Sequence, residues 1–493
     1  MSFSNPRFNI PRLPVSVTGA EGDAAEFVKM FDPQPEGASP ALPEALNPTN
    51  PVPEIMAAIV VDGREILRVT TPRTVQRRLS TGRRFITWDN RSLNYFLFLD
   101  PDMQSRFDDA TYPAPTIRVP RGVIFHCERQ GNQGPHTIHW HGIEPTPIND
   151  GVGHTSMEIG RYLYQFQPNH TGTYFYHCHR NTMQHFEFGL FGLLLVEPPD
   201  AYFASVAGSD WRTQTIPNQV VLNSIPVGAC SDGRFRTEAN LLTLPLAVRN
   251  QFPGFVGGDP VFGVATPSQT LADMNTHAFT VPYDVEAVWV FDDRDINWSD
   301  LANSREQTFP IHGAFPGEDD NFFANSNGFF AFNDFRASHW FVTGVPVPTA
   351  GGPTPAAINP AGPAPQGGGL PGGVIPRWLM SGKENVQIAV NAQVGQTILI
   401  RALDAAYNST RITFPVDVVI IAWDGRGLGV PPFGVYSQAT VVRAGTPILI
   451  STARRFDAIV RATVPIQSNV RVEFLNTQGG QLQAVAHIPF RIS

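Results

Sequence analysis

The sequence predicts an all-β protein built as two β-domains. Three observations carry that expectation. Glycine (43) and proline (45) are abundant while charged residues make up only 16%, the mix of a turn-rich β protein. Short strand-like runs recur along much of the chain. The 493 residues, 42% of them hydrophobic, supply two or three domains of about 100 to 200 residues each.

In chain order, residues 1–55 are Pro-rich and aperiodic and are expected to form an extended arm against the body or a neighbour. Residues 56–200 form the expected first β-domain, with strand-like runs at Tyr95–Leu99, Thr116–Val119 and Tyr162–Phe166. The apolar run Leu190–Val196 has the length of a buried strand. Residues 201–275 are irregular and read as a linker. A second β-domain, 276–493, starts near Phe279–Val290 and is interrupted by the Pro/Gly/Ala-rich stretch 346–376, which has the composition of an exposed loop. It resumes with Thr397–Arg401, Val418–Ala422 and Ala458–Val460.

Several functions are disfavoured. The net charge of -8 argues against nucleic-acid binding, which needs a basic surface. No apolar run approaches a membrane span. Met1 to Pro14 is polar and lacks an apolar signal core. The three cysteines, Cys127, Cys178 and Cys230, give no disulfide framework.

The chemistry concentrates between His126 and His185, which hold nine of the 13 histidines. Pro135–Gly142 reads Pro-His-Thr-Ile-His-Trp-His-Gly, and Tyr176–Leu190 contains His177-Cys178-His179 and then His185. A thiolate among imidazoles suits copper, soft sulfur with nitrogen. Structural zinc prefers two or more cysteines at short spacing. Side chains alternate along a strand. His139 and His141 should therefore share a face, and His177 and His179 should share a face with Cys178 on the other. One strand can thus serve two metal sites.

These motifs, with Thr171–Tyr176 and Tyr112–Val119 before them, resemble those of multicopper oxidases, the laccases and their relatives. The resemblance implies two cupredoxin-like Greek-key β-barrel or sandwich domains with copper in the first. It implies a type 1 copper on His136, Cys178 and His185, with a donor reacting near an exposed His185. The axial position falls on Leu190, which cannot ligate; Met183 is the rival axial donor. His139, His141, His177 and His179 correspond to half of a type 2/type 3 cluster, and Asp150 to an acidic residue assisting proton delivery. Asp150 also reads simply as a turn residue before Gly151.

The implied activity is oxidation of a phenol, a metal ion or a protein donor, with oxygen as acceptor, outside the cytoplasm (periplasmic or extracellular). The chain departs from the family in one respect. A complete cluster takes four more histidines, and beyond residue 200 only the isolated His277, His312, His339 and His487 occur. A homo-oligomer or partner subunit could complete the cluster, or it could hold fewer coppers. A nitrite-reductase-like trimer is the alternative enzyme, with His312 or His487 as a third ligand to His141 and His177. A blue-copper electron carrier or structural assembly is the non-enzymatic alternative. Thr397–Asn408, Val419–Gly425 and Arg455–Val460 resemble the copper-free middle domain of three-domain laccases, implying a second domain without ligands.

Overall fold

The computed structural model describes residues 57–61, 64–69, 74–88, 91–99, 112–120, 124–130, 136–143, 145, 149–152, 162–166, 168, 170–180, 182–198, 235–255, 279–295, 335–347, 386–430 and 437–493. The expected arm, the expected loop beyond Val347, and His154, His277, His312 and Cys230 lie outside them. Among the described residues the fold is almost entirely β, as the all-β expectation has it.

The N-terminal half contributes β1 (Ala57–Val61), β2 (Arg64–Val69), β3 (Thr74–Trp88), β4 (Arg91–Leu99), β5 (Ala114–Pro120), β6 (Ile124–Gln130), β7 (His139–His141), β8 (Tyr162–Phe166), β9 (Gly172–His177) and β10 (Phe191–Glu197). One short helix, α1 (Thr182–Glu187), lies between β9 and β10. One sheet runs β4-β3-β6-β8 and another β5-β10-β9-β7, while β1 and β2 pair separately. The two four-stranded sheets enclose a core in which Phe98, Ile117, Phe125, Trp140, Tyr164, Tyr176 and Leu194 pack together. Trp140 is fully buried and meets Phe125 edge-on, ring centroids 5.3 Å apart, a favoured aromatic geometry.

The C-terminal half contributes β11 (Phe235–Glu238), α2 (Leu246–Arg249), β12 (Thr280–Tyr283), β13 (Val285–Arg294), β14 (His339–Val342), β15 (Val345–Val347), β16 (Val386–Gln387), β17 (Val390–Ala392) and β18 (Thr397–Asp404). It continues with β19 (Ser409–Thr413), β20 (Val418–Trp423), β21 (Arg426–Gly427), β22 (Thr440–Val442), β23 (Pro447–Ile450), β24 (Arg455–Arg461), β25 (Ile466–Leu475) and β26 (Leu482–Ile492). The main sheet runs β15-β14-β13-β18-β24-β20-β21 and faces a second, β17-β26-β25-β19-β23. The run Phe279–Val290 contributes β12 and the start of β13. The chain breaks at Asp284, whose carboxylate accepts the Thr397 N–H at 2.7 Å. β12 pairs with β11, so residues 235–238 of the expected linker are tied to this half.

Alternation along β9 and β10 joins the halves. Tyr174, Tyr176, Leu194 and Val196 face the first core. Phe175, Phe191, Leu193 and Leu195 face away and belong to one apolar cluster with Val288, Ile400, Phe456 and other residues of the second half. A buried ion network reinforces the junction. Arg118 contacts Glu197 and Glu286, each at 2.8 Å. Arg401 contacts Glu286 at 2.6 Å and Asp457 at 3.2 Å, and the Thr173 hydroxyl donates to Asp457.

Candidate metal centre

The same alternation sorts the candidate ligands. On β7, Trp140 enters the first core, so His139 and His141 project from the opposite face. β7 pairs with β9 in the register His139 opposite His177 and His141 opposite Phe175. β9 ends at His177, yet the alternation continues one residue further. Cys178 lies in the first core while His177 joins His139 and His141 on the other side.

Two donor groups result: His136, Cys178 and His185, and His139, His141 and His177, each with ligand atoms within 4.8 Å of one another. In the first, Cys178 Sγ lies 3.2 Å from His185 Nδ1 and 3.7 Å from His136 Nδ1. Metal–sulfur and metal–nitrogen bonds of about 2.3 and 2.0 Å, meeting at angles between roughly a right angle and trigonal, span such separations. The Thr137 N–H points at Sγ from 3.5 Å. Burial pushes the Cys178 thiol up, so a bound cation is what would stabilise its thiolate.

All three side chains of this group are buried, His185 to 2% exposure. The expectation of an exposed His185 is therefore wrong. α1, which carries it, is held against the second half: Glu187 accepts from Arg294 Nε and from the Asp295 N–H. Leu190, also fully buried, ties the ligand loop through its backbone. Its N–H donates to His185 O, and its carbonyl accepts the Cys178 N–H, both at 3.0 Å. The rival Met183 falls on α1, but its side chain lies outside the described set.

In the second group, His141 Nδ1 and His177 Nε2 are 3.3 Å apart. That is the edge expected between two nitrogens each about 2.0 Å from a tetrahedral ion. His177 Nδ1 is engaged by the Cys178 carbonyl at 3.0 Å and His139 Nδ1 by the Asp150 carbonyl at 2.7 Å, the arrangement that orients metal-binding imidazoles. The Asp150 carboxylate is 3.5 Å from His139 Nδ1. His179 stands beside this group, its ring 5.1 Å from that of His139. Burial, with contributions from Arg455, His139 and His179, holds His141 down at about 3. Burial and His139 also hold His177 and His179 low. Neutral imidazoles are the form a metal takes up.

Three further described histidines lie apart from these groups. His170 hydrogen-bonds the Tyr174 hydroxyl at 2.5 Å. His339 Nδ1 meets Ser338 Oγ at 2.9 Å, and His487 sits on β26 opposite Arg471. Among the described residues, no donor group of three or more includes a residue from the second half. The thiolate-plus-two-imidazole set fits copper better than zinc, calcium or magnesium. Sequence reasoning missed residues that only the fold brings near: Glu187 and Arg294 behind His185, and Arg455 beside His141.

Comparison with known proteins agrees with this chemistry. Residues 104–201 match the family model described as multicopper oxidase. The chain is 32% identical to L-ascorbate oxidase of Cucumis sativus over 154 residues, 27% of this chain and 26% of that protein. It is 40% identical to copper resistance protein A of Pseudomonas syringae pv. tomato over 90 residues, 17% and 14% of the two chains. The match thus spans about a quarter or less of these relatives' length. Among solved structures, a blue copper oxidase from Nitrosomonas europaea aligns over 85% of this chain and 86% of its own, with 16% identity and a TM-score of 0.43. Over residues 104–201 the chain is thus similar to the multicopper oxidases.

Proposed function

We propose that the chain is a copper-dependent oxidoreductase of multicopper oxidase type, oxidising a phenolic, metal-ion or protein donor with oxygen as acceptor. The observation that carries this reading is the convergence of Cys178 Sγ with Nδ1 of His136 and of His185 in a buried pocket. Copper held there supplies one-electron redox chemistry that the chain's own side chains lack. Cys178, His136 and His185 are the proposed type 1 ligands. Leu190, buried in the same core cluster as Cys178, cannot ligate. The Thr137 N–H supports negative charge on Sγ.

Single peptide bonds join Cys178 to His177 and His179, so a short covalent path runs from the first donor group to the second. His139, His141, His177 and His179 are the proposed ligands at its far end. The Asp150 carboxylate, 3.5 Å from His139 Nδ1, is the proposed residue for proton delivery. The test combines spectrum and turnover. Copper-loaded protein should be blue, and Cys178→Ser should lose the visible band. Oxygen uptake should follow addition of a phenolic dye, Fe(II) or Mn(II). A colourless copper-loaded protein would remove the type 1 assignment. Nitrite reduction without oxygen uptake would favour the nitrite-reductase-like alternative.

A further inference from the structure

His139 and His141 line a cleft of about 600 Å³ whose other wall belongs to the second half, including Trp423, Asp424, Arg426, Arg454 and Arg455. None of the described residues lining that wall offers an imidazole or a thiol; three of them are arginines, against one aspartate. Arg455 is fixed. Its Nε donates to the Thr173 carbonyl at 3.2 Å, Nη1 to Ala453 at 2.6 Å and Nη2 to Asp424 at 2.9 Å. Its guanidinium lies 5.6 Å from the Phe175 ring, on which His141 stacks at 4.3 Å. Gly142, at φ +87°, leaves the space that Arg455 Nη2 occupies.

A guanidinium held beside His141 opposes further cations on that side of the imidazoles and attracts an anion. The cleft's size is that of a small-ligand site. Of the four proposed histidines, only His139, His141 and His177 bring ligand nitrogens within 4.8 Å of one another, and three protein nitrogens leave coordination for an exogenous ligand. We infer that His139, His141 and His177 hold a single metal ion, and that the arginine-walled cleft admits a small oxyanion, inorganic or a carboxylate, which binds at that ion. The inference rests on the reading that these histidines take copper.

The test uses full-length Cys178→Ser loaded with copper, so that only the histidine group contributes, with metal analysis and electron paramagnetic resonance as readouts. One copper per chain is expected, with a signal that shifts saturably on addition of nitrite, benzoate or both. Response to nitrite alone identifies an inorganic oxyanion, and response to benzoate alone a carboxylate. Arg454 is half exposed, so Arg454→Ala should fold, and it should weaken the anion response by about tenfold. Wild-type protein gives an independent count, expected at two coppers per chain.

Two or more coppers in the variant would overturn the inference. So would a single copper blind to both anions, or anion affinity unchanged in Arg454→Ala. Absence of copper from the variant, with the blue band intact in wild type, would show that the underlying histidine-site reading has failed and the inference with it.

Discussion

Glu187 and Arg294 meet across the junction of the two halves, Nε to Oε1 at 3.1 Å with both side chains essentially fully buried. Glu187 lies two residues after His185 on α1, and the same oxygen accepts the Asp295 N–H at 2.9 Å. The described residues of the second half thus position a candidate copper ligand without supplying one. Glu187→Ala leaves a buried guanidinium and a backbone donor short of their acceptor. The expected loss of stability is about 3 kcal/mol. The copper-loaded variant should show a displaced or weakened thiolate-to-copper band, while Cys178 is retained. A band of unchanged position and intensity would show that α1 needs no such anchor.

The junction itself gives a second expectation. Glu286 accepts from Arg118 Nη2 at 2.8 Å and from Arg401 Nε at 2.6 Å, so one carboxylate serves arginines from both halves. Glu286→Ala should destabilise by about 3 to 5 kcal/mol, since it strips a partner from two buried cations. Because the halves share an apolar cluster, thermal unfolding of the wild type should be one transition. The variant should move that transition down or split it. An unshifted single transition would show that the network adds little to the packing.

Much of the site was legible because its logic is local. His139, His141, His177 and Cys178 are sorted by strand alternation, a property of the backbone that needs no tertiary knowledge. The strands Tyr95–Leu99, Tyr162–Phe166 and Val418–Ala422 were visible as apolar or alternating runs and fall within β4, β8 and β20. What failed depended on long-range placement. His185 looked exposed because the residues that cover α1 include Arg294, more than 100 positions away. The arginine wall was silent for the same reason: Arg455 reaches Gly142 only after β24 packs beside β9.

Asp293 yields a pH expectation that lies away from the metal ligands. It is 1% exposed and accepts from Tyr407 N at 2.8 Å and Asn408 Nδ2 at 2.7 Å. Burial dominates those bonds and pushes its carboxyl from 3.8 up to about 6. Burial likewise raises its neighbours Asp292 and Asp404. A carboxyl raised in the fold binds its proton more tightly there than in the unfolded chain. Its stabilising contribution is therefore full below about pH 4 and is lost as pH rises through about 6. For Asp293 that loss is on the order of 3 kcal/mol. Urea unfolding of metal-free protein between these pH values should show it as a downward slope. In Asp292→Asn, which removes one of the raised carboxyls, the slope should lessen. A wild-type stability that climbs across this window would contradict the burial argument.

Asp150 separates two roles that one residue could play at His139. Its backbone carbonyl engages His139 Nδ1 at 2.7 Å, and its carboxylate stands farther off at 3.5 Å. The carbonyl sets the imidazole's orientation and is untouched by side-chain substitution. Asp150→Asn should therefore retain the copper content of the histidine group. Gly151, at φ +75°, packs its Cα against the Ile138 carbonyl, and the turn that presents Asp150 should persist. If the carboxylate holds a proton for turnover, oxygen uptake should fall by about 10-fold or more, the scale of a lost general acid or base. Its pH dependence should change while the blue band stays. Unchanged turnover with unchanged copper would leave Asp150 a turn residue whose carbonyl alone matters. Loss of copper would instead mean that the carboxylate, not the carbonyl, fixes His139.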